Sequence, residues 1–262
     1  MPGSRSVLIG FVTVSMALLM VASGKAQTVR ILKFSEGQPF RMGKVTSQRI
    51  VQPDMGARRL TLNYSASEAG AEFAQHVHDN SDDTILLLKG EALLRQGDSR
   101  TPFHTGQCVF VPAGQIHGTI TTANGTVMIS FQVPPDLALY TGARDSSRPG
   151  AVAPKGVITP GAVKYLDFEN QNGFFVGPKM GAQRLAVAYR KLRPKEPLAT
   201  ETASGTEEFF FVWKGAIAVN SGGKAYSAGE RDTVFISGPE KLRITASEPA
   251  IVIQVQSPPA IR

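Results

Sequence analysis

Residues 70–121 read GAEFAQHVHDNSDDTILLLKGEALLRQGDSRTPFHTGQCVFVPAGQIHGTIT and hold three of the four histidines in a chain of 262 residues. His76 and His78 stand two apart, so on an extended strand both rings leave the same face. Asp83 follows at the start of the apolar run Thr84 to Lys89, which Gly90 ends. A second strand, Gln107 to Val111, enters the turn Pro112-Ala113-Gly114, and His117 lies just beyond it. Two antiparallel pairs folded over one another would bring His76, His78, Asp83 and His117 to one place.

This spacing resembles the two sequence boxes of the cupin family. Gly70, His76, His78, Asp83 and Gly90 occupy the places of the first box; Gly106, Pro112, Gly114 and His117 occupy those of the second. Two positions depart from the family pattern, aspartate for the usual glutamate at 83 and Thr121 for the usual asparagine. The resemblance implies a double-stranded β-helix barrel and one divalent transition metal held by His76, His78, Asp83 and His117. Asp83, a methylene shorter than glutamate, either reaches that ion or orients a ligand from behind it. Its neighbour Asp82 is the competing carboxylate.

Working outward, Met55-Gly56-Ala57-Arg58-Arg59-Leu60 recurs 125 residues later as Met180-Gly181-Ala182-Gln183-Arg184-Leu185. The same offset maps Tyr64 onto Tyr189, Lys89-Gly90 onto Lys214-Gly215, and Val109-Phe110 onto Val234-Phe235. A constant register over so long a span is the signature of an internal repeat. The expectation is an all-β chain of two tandem cupin barrels, a bicupin: a signal peptide at 1–26, a metal-binding domain at 27–149 and a second domain at 150–262. Asp136 to Gly161, rich in proline and glycine, reads as the linker. In the second copy the offset places Glu201, Ala203, Glu208 and Leu242 at the ligand positions. Alanine and leucine cannot bind a cation, so the second barrel is expected to carry no such metal. A metal-free pocket between Glu201 and Glu208 is the alternative there.

Twenty-six glycines and 17 prolines, with no long helical periodicity, also favour many short strands and turns. Arg5, the apolar run Val7 to Ala22 and the small residues before Gln27 have the pattern of a secretory signal, which places the mature chain in the periplasm or outside the cell. The apolar run is shorter than the ~20 residues of a membrane span. Losing Arg5 and Lys25 with no acid would lower the formal charge from +7 to +5. No dense basic run is left, so nucleic acid is not an expected partner. Cys108 is the only cysteine, which excludes an intrachain disulfide, and a buried inert thiol is the expectation for it. His104 is expected in a solvated turn. The parity of Tyr64, Thr121, Ser130 and Gln132 cannot be read through the loops.

Three imidazoles and a carboxylate suit Fe, Mn, Ni, Zn, Co or Cu better than Ca or Mg. On an octahedral ion they leave two neighbouring positions for substrate, water or dioxygen. The functional expectation is a metal-dependent enzyme acting on a small organic substrate, first as an Fe(II) and dioxygen oxygenase. Isomerase, lyase or decarboxylase chemistry is the alternative, and a non-catalytic protein binding a metal or small ligand is the rival class. No catalytic side chain is assigned beyond the ligand set, and a homo-oligomer is left open.

Overall fold

Short runs of β-branched, aromatic and leucine residues, each closed by glycine, proline or an acidic turn, become strands throughout. A computed structural model describes residues 28–260; the expected signal segment 1–26 lies outside them. The first half holds β1 (Val29–Leu32), β2 (Gln38–Met42), β3 (Val45–Val51), β4 (Leu62–Ser67), β5 (Glu72–His76), β6 (Asp82–Lys89), β7 (Glu91–Gln96), β8 (Ser99–His104), β9 (Gln107–Val111), β10 (His117–Thr121) and β11 (Thr126–Val133), then a single helical turn α1 (Leu137–Tyr140). The second half holds β12 (Lys164–Asp167), β13 (Gly173–Val176), β14 (Ala186–Leu192), β15 (Leu198–Thr202), β16 (Glu207–Lys214), β17 (Ile217–Ser221), β18 (Lys224–Ala228), β19 (Thr233–Ile236), β20 (Glu240–Thr245) and β21 (Ala250–Ser257).

These strands form two barrels, each a large sheet facing a four-stranded one. In the first barrel the orders are β12-β9-β6-β11-β4-β3-β2 and β5-β10-β7-β8; in the second they are β1-β19-β16-β21-β14-β13 and β15-β20-β17-β18. The run β9-β6-β11-β4 recurs as β19-β16-β21-β14, and β5-β10-β7-β8 as β15-β20-β17-β18, so the duplication read in the sequence is a duplication of topology. The halves also exchange edges. β1 from the start of the chain pairs with β19, and β12 from beyond Gly150 pairs with β9.

β6 is apolar from Ile85 to Leu88 because both of its faces are buried there. Ile85 and Leu87 point into the first barrel with Leu94, Phe103, Val109 and Met128. Leu86 and Leu88 point the other way, into a core shared with the second barrel through Ile129, Phe131, Val187, Phe209, Phe211 and Phe235. Each large apolar side chain so buried contributes about 1.5–3 kcal/mol, which makes the interface between barrels as much a core as either interior. Tyr64 belongs to this interface, stacked edge-on against Phe34 and facing Phe211, and so points away from the first barrel's cavity.

The repeated hexapeptides lie at this interface. Gly56 and Gly181 close 3₁₀ turns at φ 83° and 103°, a left-handed conformation that favours glycine. The loop after each turn is anchored to an acid of the opposite barrel. Glu207 accepts the backbone N–H groups of Arg58, Arg59 and Leu60 at 2.6, 2.8 and 3.2 Å. Arg184 donates to Asp82 at 2.7 Å. Asp82 and Glu207 are 125 residues apart, as the repeat requires, and Asp82 is thereby committed to the interface.

The expected linker after Asp136 is instead a strap folded onto the first barrel. Ser146 donates to the Gln75 carbonyl at 2.6 Å, Asp145 accepts from the Gly43 N–H at 3.1 Å, and Val157 bridges to Gln115. Its polar residues find partners on the open edge of β5, which explains why a glycine- and proline-rich segment is ordered there. Cys108 is fully buried and its thiol pKa is pushed well up by burial, with the charge of Asp83 adding to the effect. His104 ends β8, exposed, its ring at the Thr105 carbonyl and its backbone N–H donating to Gln107.

Candidate metal centre

β5 and β10 lie side by side because Gly118 lets them. A Cβ there would meet the Phe73 carbonyl oxygen at 2.7 Å, so no other residue permits the approach. That contact sets His117 opposite His76 across the pair. His78 follows two residues after His76, and Asp83 opens β6 with Val111 on one side and Gln132 on the other. All four groups are buried, each less than 5% exposed.

The hydrogen bonds decide which ring nitrogens are free. Nδ1 of His76 lies 2.9 Å from the Ala74 carbonyl, Nδ1 of His117 lies 3.1 Å from the Gln115 carbonyl, and Nδ1 of His78 lies 2.8 Å from an Asp136 carboxylate oxygen. Carbonyls and carboxylates only accept, so each Nδ1 carries the proton and each Nε2 offers a lone pair. Those lone pairs converge. Nε2 of His76 and His78 are 3.1 Å apart, Nε2 of His117 is 3.2 Å from Oδ2 of Asp83, and Nε2 of His78 is 3.6 Å from the same oxygen.

One ligand atom from each residue lies within 4.8 Å of the other three. Donors at ~2.1 Å from a common ion sit ~3 Å apart when adjacent and ~4.2 Å when opposite, so the observed separations fit a single divalent cation. Buried lone pairs aimed at one another have no other means of satisfaction. The four side chains could therefore bind one metal ion, whose identity the donor set does not determine. Among the described residues this is the only such cluster.

Electrostatics of the chain alone favour the ligand state of Asp83 and of His76. Burial would raise the Asp83 pKa, but hydrogen bonds with His117 and His78 outweigh it and hold the carboxyl well below its ordinary range. Burial, with His117 and His78 beside it, drives the His76 pKa well down, which keeps that ring neutral. Burial would also lower His78, yet Asp136 and Asp83 raise it. Those carboxylates favour a charged ring, so at His78 a proton competes with a cation for Nε2.

Around the four, a layer of polar groups fixes their orientation. Gln132 donates from Nε2 to Oδ1 of Asp83 at 2.9 Å, leaving Oδ2 for the shared point. Its own oxygen accepts from Asn63 at 2.7 Å and from Thr61 at 3.0 Å. Asp136 caps α1 through Ala138 and is held by Arg144, which also reaches Asp79. A cavity of about 40 Å³ adjoins the cluster, lined on its polar side by Ser47, Asn63, Ser65, Ser130 and Gln132 and on its apolar side by Phe73, Ile85 and Met128. Thr121 is buried with an unpartnered hydroxyl.

Asp136, Arg144 and the Thr61–Asn63–Gln132 chain escaped the sequence reading. One signal was present. With the one-residue slip that matches Pro134-Pro135 to Pro258-Pro259, Asp136 falls on Ala260, so the copy without histidines also lacks this acid.

The second barrel corrects one placement. β15 lacks the bulge of β5, so Thr200, opposite Leu242, stands where His76 stands opposite His117, while Glu201 is exposed beside Lys241 at 3.9 Å. Glu208 is fully buried, accepting from Thr202, Gln254 and Gln256 at 2.5, 2.6 and 2.8 Å. The pocket imagined between Glu201 and Glu208 is absent, because one acid faces water and the other is saturated. Leu242, in the place of His117, is part of the second core.

Residues 64–133 match the family model described as the cupin domain. Over 110 residues the chain is 24% identical to the tetracenomycin polyketide synthase protein TcmJ of Streptomyces glaucescens, covering 42% of this chain and 74% of that one. The oxalate decarboxylase of Lactobacillus farciminis in its formate complex has the same fold, with a TM-score of 0.68 at 15% identity over 91% of this chain and 88% of that one. An oxalate decarboxylase of Bacillus subtilis, described with Mn(II) centres, gives 0.64 at 12% identity over 86% and 76%. Protein Ylba of Escherichia coli gives 0.67 at 9% over 91% and 94%. Identities this low speak for the fold: two tandem cupin barrels.

Proposed function

We propose that this chain, a cupin-superfamily protein of two barrels, is a metal-dependent enzyme that acts on a small organic acid in its first barrel. The observation that carries the reading is the convergence of three Nε2 lone pairs and one carboxylate oxygen beside a polar cavity. His76, His78, His117 and Asp83 would hold the ion. When bound, it supplies Lewis-acid chemistry or the activation of dioxygen.

The chain's own residues do the rest. Asp136 keeps the proton on Nδ1 of His78, and Gln132 keeps one Asp83 oxygen turned to the shared point. Ser47, Asn63, Ser65 and Ser130 offer hydrogen bonds to a substrate, while Phe73, Ile85 and Met128 exclude water from the same space. An oxygenase is the reaction we carry forward, because four protein donors leave adjacent positions where an acid and dioxygen could meet. The apolar segment Val7 to Ala22 supports a periplasmic or secreted site of action.

The test has two steps. Elemental analysis of protein from its own host is expected to find about one transition metal per chain in wild type and almost none in His117→Ala. Oxygen uptake is then followed with the metal-loaded chain and a panel of small acids. Uptake that disappears in His117→Ala supports the oxygenase. Turnover of an acid without uptake would move the assignment to decarboxylase or lyase, and rapid metal exchange without any turnover would leave a binding protein.

A further inference from the structure

β3 carries Val45, Ser47 and Arg49 on one face, since alternate residues of a strand share a side. Val45 and Ser47 line the cavity beside the histidines. Arg49 is next in that row, and its strand partner is Asn63, which lines the cavity as well. Asn63 in turn pairs with Ser130, another cavity residue. An arginine thus stands on the interior face of the sheet that presents Asp83, two strands beyond the β11 that carries Gln132.

That arginine lacks an anion. Its Nε is buried with no hydrogen-bond partner, and it takes part in none of the ion pairs among the described residues, the acids nearby being committed to His78, His117 and Arg144. Its one evident contact is the ring of Tyr140, 4.7 Å from the guanidinium carbon. A cation over an aromatic face returns about 0.5–1 kcal/mol, and more where water is excluded. An unsatisfied buried donor costs about 1–3 kcal/mol, and more when it is charged. The stacking alone does not offset that cost.

Two further polar atoms at this end lack a well-formed partner. Asp83 only accepts, so Gln132 must present its nitrogen to it and its oxygen to Asn63. Asn63 must then present its nitrogen to Gln132, which leaves the Asn63 carbonyl oxygen free, and that atom is buried without a partner. The Tyr140 hydroxyl is buried within weak hydrogen-bonding reach of Thr61 and Asn63 and makes no well-formed bond to either. The Nε of a half-buried arginine, a hydroxyl and a carbonyl oxygen, none with a well-formed partner and all at one end of the sheet, describe a vacant polar subsite rather than a packing arrangement.

We propose that Arg49, oriented by the ring of Tyr140, is the residue that recognises a carboxylate of the substrate, so that the first barrel takes small dicarboxylates with one end at the histidine cluster and the other on the guanidinium. Arginine suits this role because its fork matches a carboxylate oxygen pair. Three strand spacings of ~4.8 Å separate β3 from the β6 that carries Asp83, and the inward reach of the side chains at both ends shortens that span to one that a substrate of a few carbons bridges. The inference rests on the metal-dependent reading above and names the substrate class of the same site.

Malonate, succinate and glutarate serve as probes of the full-length chain, by isothermal titration of the Mn(II)-loaded protein and by thermal melting of the metal-free protein. At least one of the three is expected to bind wild type. Arg49→Met should weaken it ~30-fold or more, and Arg49→Lys, which keeps the charge and loses the fork, should weaken it less. Metal-free Arg49→Met is expected to melt no lower than wild type, since a functional residue left unsatisfied does not stabilise the fold.

Equal binding by wild type and Arg49→Met, or no binding of any probe to wild type, would overturn the proposal. So would a large drop in the melting temperature of Arg49→Met, which would make Arg49 structural. If the chain takes up no metal, the reading of the cluster fails by itself, and the melting shift of the metal-free protein with dicarboxylate still decides Arg49. Should Arg49→Met not fold, the Arg49→Lys titration decides in its place.

Discussion

The two barrels share the strand orders β9-β6-β11-β4 and β19-β16-β21-β14 and an interior acid at the same position, yet only one presents a donor set. Asp83 has one oxygen held by Gln132 and the other aimed at three imidazoles. Glu208 has both oxygens occupied, one by Thr202 and the other by two glutamines. Even the glutamine is shared, since Gln132 pairs with Asp83 in the sheet as Gln256 does with Glu208. An acid inside a barrel is therefore not enough for a metal site. What distinguishes the first barrel is an oxygen left without a donor and rings whose far nitrogens are already paired.

The barrels differ again at their common interface, and the largest expected effect on stability comes from there. Glu207 satisfies three backbone N–H groups and is buried, whereas Asp82 is bonded to an arginine whose side chain is 44% exposed. Glu207→Ala would strand those N–H groups and is expected to lower the unfolding free energy by about 3 kcal/mol. Arg184→Ala removes a partly solvated pair and should cost about 1 kcal/mol or less. Urea denaturation of both variants checks the order. Equal losses would mean that the two anchors are energetically alike and that burial does not separate them.

The four residues that converge were legible because short fixed spacings bring them together: His76 ends β5, His78 follows it by two residues, Asp83 lies at the start of β6, and His117 follows its turn. Asp136 was not legible, being 58 residues from the ring that it orients and in a stretch whose composition reads as a linker. Nor was the exchange of β1 and β12, because a four-residue apolar run does not say which sheet edge it will join. Strand parity failed wherever the register shifts, as between Arg49 and Val51 or between Val127 and Met128. The same kind of slip put Glu201 in the place of Thr200. A repeat offset locates strands well and side-chain faces badly, since one residue reverses the face.

Asp136 offers the next test, because its counterpart in the second copy is alanine. Asp136→Asn keeps an N-cap for α1 but replaces the carboxylate that holds Nδ1 of His78. Metal affinity is expected to fall 10- to 100-fold, measured by competition with a chelator, while the fold is retained. Unchanged affinity would show that the His78 ring is positioned by packing alone.

The smallest effects are expected from the two interior acids, and their signs should be opposite. The Asp83 pKa is depressed in the folded chain: burial works against the shift, and His117 and His78 outweigh it. Its contribution to stability is present above the ordinary carboxylate range and is lost as pH falls through the folded value. Burial raises Glu208, and Thr202, Gln254 and Gln256 counter it only in part. The folded chain therefore holds that proton to higher pH than the unfolded one, and stability declines as pH rises from the ordinary carboxylate value to the raised one. In the metal-free protein, Glu208→Gln should gain on wild type between mildly acidic and neutral pH, and Asp83→Asn should lose ground over the range from acid upward. Denaturation midpoints followed against pH would show the two slopes. Slopes of the same sign would mean that the barrels treat their acids alike, and the contrast between an open donor and a saturated one would have no energetic counterpart.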